Sequence, residues 1–142
     1  MIVGLITLML TSGFAAACAY INIVEQPARL ALQPAALWAQ WQVSYHRGTA
    51  MQLSLAVLST VLAVVSYALT RDVRWLAGAG CLLAIAPYTL LVMMPVNREL
   101  SALTPGNLGD QVVPLVRSWG RRHAVRGLLG ATAAVIFVWA LS

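Results

Sequence analysis

The sequence predicts an all-α integral membrane protein: a four-helix bundle with an interfacial helix in its first long connection. Three observations carry that prediction. Hydrophobic residues make up 61% of the 142 and charged residues only 9%, whereas about a quarter of an ordinary soluble domain is charged. Mean hydropathy is +0.81. The apolar residues also fall in long runs, most of which reach the ~20 residues that cross a hydrocarbon core. A soluble domain of this size buries only ~60–70% of the surface its unfolded chain exposes. A soluble enzyme is therefore excluded, as are a disordered tail and a disulfide scaffold. Residues 1–142 read as a single transmembrane domain.

The first run, Met1 to Val24, is uncharged and closed by Glu25 and Pro27. It lacks the basic leader of a secretory signal and stays apolar too long for one, so it reads as a retained span of about 2–24. The second run, Gly48 to Thr70, ends at Arg71, Asp72 and Arg74 and gives a span of about 49–70. The third lies between Arg74 and Arg98, with a span of about 75–96. In the fourth, only Gly127 to Ser142 is free of charge. That is about 24 Å of helix at ~1.5 Å per residue, short of a ~30 Å core. Its span is therefore set at about 122–141, which draws Arg122, His123 and Arg126 toward the membrane.

The connections carry their own signals. Pro34 suits the first turn of a helix, and Trp38, Trp41 and Tyr45 follow at i, i+3 and i+7, which stacks three aromatic rings on one face. Such a face fits an interfacial helix at headgroup depth, and equally one wall of a pocket for a flat aromatic ligand. In the second connection a loop over 104–109 leads to Asp110, a predicted N-cap, and then to an apolar lead-in to the fourth span.

Nine arginines, no lysine and four acids give a net charge of +5. Seven arginines fall in or beside the two long connections and two in the 71–74 turn. The positive-inside rule places the long connections in the cytoplasm and both termini outside, here in a bacterial inner membrane. This scattered charge implies contact with membrane lipids and no nucleic-acid partner. Cys18 and Cys81 lie within apolar runs at no metal or redox spacing and read as small buried hydrophobes.

Ionisable residues at or inside a span mark function by default. Glu25, His46, Arg47, Asn97, Arg98, His123 and Arg126 all fall at the same end of their helices. Helix ends ordinarily carry polar residues, and that suffices for Arg47 and Arg98. Trp119-x-x-x-His123-x-x-Arg126 asks for more, because i, i+4 and i+7 put three functional side chains on one face. That face continues through Gly130 and Ala133, which allow a neighbouring helix close. An interfacial histidine near phosphates remains the plain alternative for His123.

Pro87-Tyr88-Thr89, then Met94-Pro95-x-Asn97-x-x-Leu100, then Trp119-x-x-x-His123-x-x-Arg126 resemble the anthrone oxygenase-like family of small membrane proteins, long catalogued as a domain of unknown function. Gly13-Phe14 and Pro27 fit the family's opening pattern. The resemblance implies a four-helix membrane bundle and, in the fungal members, oxygenation of an anthrone to an anthraquinone by O2. The expected partners are then a small aromatic substrate and O2. An anthrone C–H is acidic enough for a base to generate an enolate that reacts with O2 directly, so no cofactor is favoured. His123 would be the base, since imidazole titrates near neutral pH. Arg126 and Asn97 would hold the oxyanion, and Glu25 would orient His123 or act as the base. Trp119, Trp41, Trp38, Tyr45 and Arg98 would contact the substrate.

Two other classes stay open. His46, His123 and Glu25 offer two imidazoles and a carboxylate, a donor set suited to non-haem iron, and the two histidines alone suit copper or haem. A non-catalytic membrane subunit or lipid-binding scaffold would use the arginines on phosphates. Transport is the weakest option, because no span carries an ionisable residue at its midpoint. The Gly78/Gly80 and Gly127/Gly130 pairs allow tight packing within the chain or in a homo-oligomer.

Overall fold

The computed structural model describes residues 1–142. Four helices are long and apolar enough to cross a membrane: α1 (Ile2–Leu30), α2 (Pro34–Thr70), α3 (Arg74–Ala102) and α4 (Val112–Leu141). Each packs on its neighbour in sequence, and α4 closes the ring against α1. The up-down-up-down order follows from short connections between antiparallel neighbours.

Two of the helices widen locally. Within α1, residues Ile21–Glu25 form a π turn in which the Gln26 N–H reaches back to the Ile21 carbonyl. Within α3, Thr89–Met93 do the same, with Met94 donating to Thr89. A proline follows each turn, at Pro27 and Pro95. Proline has no N–H to donate and its ring crowds the carbonyl four residues back; the wider turn relieves that conflict and the helix runs on. Pro27 therefore does not close the first helix, which continues to Leu30.

The first long connection is also corrected. Pro34 does open a helix at its first turn, but that helix runs unbroken through Gly48 to Thr70 over 37 residues. No separate interfacial helix exists. The aromatic face turns inward: Trp41 is fully buried, stacks on Tyr45 with centroids 4.8 Å apart, and meets Trp119 edge-on at 6.1 Å. The indole of Trp38 donates to the Leu100 carbonyl at 3.0 Å and ties α2 to α3. At the other connection, α4 starts at Val112 and Gln111 occupies the N-cap without a side-chain bond, so Asp110 caps nothing.

The core divides into two clusters along the bundle axis. Toward the termini, Phe14, Trp75, Ala79, Ala133 and Phe137 pack together. Here glycines admit aromatic rings: a Cβ on Gly78 would lie 2.2 Å from Phe137, and one on Gly130 would lie 2.6 Å from Phe14. Gly127 is likewise spent inside the chain, against Cys18, whereas Gly80 meets nothing within 4 Å. Toward the long connections, Trp41, Met93, Leu100, Val116 and Trp119 form the second cluster.

Candidate active site

Between the two clusters lies a cavity of about 540 Å³ to which all four helices contribute. The register of α4 aims Trp119, His123 and Arg126 into it, as their spacing requires. The rings of Trp119 and His123 stack at 4.8 Å with 19° between their planes.

His123 is 1% exposed, and its two ring nitrogens have different surroundings. Asn22, on the π turn of α1, donates from Nδ2 to the Gly120 carbonyl at 2.7 Å. That bond fixes which way the amide points. Its Oδ1 then faces His123 Nδ1 at 2.7 Å and accepts a hydrogen bond from it. A neutral imidazole carries one N–H, so this partner selects the Nδ1–H tautomer. Nε2 is left as an acceptor, with the Gln52 amide 3.4 Å away. The close approach of α1 and α4 rests on Gly120, where a Cβ would lie 2.5 Å from the Gln26 side chain. Gln26 bonds there to the Val116 carbonyl at 2.7 Å.

The charges around the cavity do not cancel. Arg29, 1% exposed, pairs with Glu25 at 3.1 Å, bonds to Gln26 at 3.2 Å and to Gln40, and holds its guanidinium over the Trp119 ring. Arg126 has no carboxylate partner; its guanidinium lies 5.9 Å from the Phe14 ring centroid. Two guanidinium charges against one carboxylate leave the lining one positive charge in excess. Burying an unpaired charge is costly. Four lining residues also carry a buried polar atom without a partner: Thr89 Oγ1, Asn97 Oδ1, Trp119 Nε1 and Arg126 Nε. Native interiors leave few such atoms without a protein partner, and these four line one cavity. That combination suits a flat molecule with acidic oxygens: a proton acceptor and a cation line the same cavity.

Of the sequence-predicted residues, His123, Arg126, Asn97, Glu25, Trp119 and Tyr45 come together around the cavity. Trp41 and Trp38 stand behind this lining as packing and as a tie to α3. Arg98 is exposed and outside it. His46, one residue past Tyr45, is turned about 100° around the helix and is also exposed and outside. The set His46, His123 and Glu25 is thus not assembled, and no three His, Cys, Asp or Glu side chains converge anywhere in the chain. Three contributors escaped the sequence reading: Asn22, Gln52 and Arg29. Asn22 is the one amide in the first apolar run and Gln52 the one amide in the second. Each carried the signal of a polar group placed in lipid at a cost.

The sequence model of the anthrone oxygenase family matches residues 41–136. An anthrone oxygenase of Claviceps purpurea is 34% identical over 118 residues, 73% of this chain and 67% of the relative. One from Cryptosporiopsis sp. is 31% identical over 131 residues, 86% of this chain and 75% of the relative. A third, from Paecilomyces divaricatus, is 29% identical over 122 residues, 73% of this chain and 72% of the relative. No solved structure matches the chain.

Proposed function

This chain belongs to the anthrone oxygenase family, and from that premise we propose that it oxidises a flat phenolic substrate of anthrone type with O2 inside the cavity. His123 is the base: its Nε2 takes a proton from the doubly benzylic carbon, and the electron pair moves onto the carbonyl oxygen to give an enolate. Arg126 holds that oxyanion, and the unpartnered Asn97 Oδ1 accepts from a substrate hydroxyl. The carbanionic carbon adds O2 to give a peroxide anion, which takes the proton back from His123 and becomes a hydroperoxide. Loss of the second C–H proton with O–O cleavage gives the quinone and one water. Both oxygen atoms and all four electrons are then accounted for: one oxygen in the new carbonyl, the other in water.

One observation carries this reading. A neutral imidazole nitrogen, left as an acceptor by the Asn22 bond, faces a cavity that also holds an arginine without a counter-ion. Trp119 serves His123 more than the substrate, since the imidazole stacks on its ring and the Arg29 guanidinium lies over it. The arginine split of seven to two supports placing the two long connections on the cytoplasmic side.

The test is direct. Protein purified in mild detergent is given a hydroxyanthrone in air, after exhaustive chelation, while O2 uptake and quinone absorbance are followed together. The expected result is one O2 consumed per quinone formed. Turnover that vanishes on chelation and returns with one added metal would overturn the base-only mechanism.

A further inference from the structure

Two sides of the cavity differ in construction. At the end nearest the long connections a polar chain closes it. Glu25 pairs with Arg29 at 3.1 Å, Arg29 bonds to Gln40, and Gln40 donates to Ser44 at 3.1 Å. These bonds latch α1 to α2 across the mouth. The other side lies between α2 and α3. Those helices meet at both ends: Trp38 bonds to Leu100 at one, and Ala63 packs with Trp75 and Ala79 at the other. Between these contacts, residues of both helices line the cavity.

The rim on this side is two stripes. On α2, Thr49, Leu53, Val57 and Val61 recur every four residues; on α3, Leu83, Ala86 and Leu90 keep helical spacing. All seven line the cavity and all are exposed, with Leu53 at 59%, Val57 at 51% and Leu90 at 63%. Thr49 is the one polar side chain among them. The polar lining behind them is the reverse, with Gln52 2% and Asn97 4% exposed. An apolar frame in the middle of two spanning helices faces acyl chains, where water has no access.

We propose that this side is a lateral portal, through which substrate dissolved in the bilayer reaches His123 and product returns to it. The idea rests on the oxygenase reading and narrows its substrate to membrane-partitioned, planar phenols. Such a molecule slides between Val57 and Ala86 and exchanges lipid contacts for aromatic and apolar ones, while its acidic oxygens meet Arg126 and Asn97.

The experiment places a removable block at each side. Val57→Cys and Ser44→Cys are made separately in a Cys81→Ala chain, where Cys18 stays buried. Each folded protein, in lipid vesicles, is labelled with a bulky thiosulfonate and then released with dithiothreitol. The label at Val57 is expected to lower kcat/KM for the hydroxyanthrone by about tenfold or more, reversibly. The label at Ser44 is expected to change it less than about twofold. Full turnover with Val57 blocked, or loss confined to the Ser44 label, would overturn the portal. If the unlabelled chain proves inactive, the oxygenase reading fails. The portal is still decided by stopped flow, because a membrane-dissolved hydroxyanthraquinone quenches the buried tryptophans as it arrives. The Val57 label must slow that quenching, and an unchanged rate refutes lateral access.

Discussion

The two ends of this bundle are built on opposite terms. Near the termini, glycines let aromatic rings sink into neighbouring helices, and Phe137 stacks on Trp75 at 5.2 Å. The cluster's helices keep ordinary α turns, with the Arg126 guanidinium over its Phe14 ring. Near the long connections the helices are widened by two π turns, an arginine lacks a counter-ion, and polar atoms lie buried without partners. The first end holds the fold together by packing. The second is packed as well, but its cluster borders a hollow lined by polar side chains. Stability and activity should therefore respond to different residues.

The sharpest contrast comes from His123→Gln. It removes the proposed base without emptying the site, and general-base catalysis is typically worth ~10²–10⁴ in rate. We expect a kcat loss of that order in the O2-uptake assay, with little change in Tm. A Tm collapse instead would mean that His123 belongs to the scaffold. Gly78→Ala should do the reverse. The new Cβ would meet a Phe137 ring that is fully buried and stacked, and overpacking of this kind costs about 1–3 kcal/mol. Tm should fall while kcat/KM per folded molecule holds. Asn22→Leu should fall between them: it frees the imidazole to carry its proton on either nitrogen. The expected loss is about tenfold in kcat, near the ~1–1.5 kcal/mol of one hydrogen bond. Asn22→Ser should recover part of that loss, and no effect at all would dissociate the tautomer from the reaction.

Much of this division was visible in the sequence, because membrane burial leaves coarse marks. Four apolar runs gave the helices, and the Trp119, His123 and Arg126 spacing gave one face of the site. What stayed hidden depended on the angular register between helices. His46 and Gln52 lie six residues apart on α2, and only the packing of Trp41 and Tyr45 against α4 decides that Gln52 faces His123. Arg29 read as one basic residue among seven near the cytoplasmic side, yet the continuation of α1 past Pro27 buries it. A π turn leaves no mark in a hydropathy profile, so Pro27 looked like the end of a helix.

Those π turns also bear on which changes in length the chain can tolerate. An i→i+5 bond holds one more residue than an α turn over nearly the same rise, so each π segment is an α-helix with a single residue added. Removing one residue anywhere else in a span would turn everything beyond it by about 100° and set the core faces of the bundle at odds. Removing Ile23, which is 73% exposed, should close the first π turn into plain α-helix while the flanking faces keep their phase. The shortened chain should still insert and melt cooperatively, with Asn22 drawn away from His123. The cavity end of this molecule is in that sense an insertion in an otherwise regular bundle, and deleting one codon should separate the scaffold from the proposed chemistry.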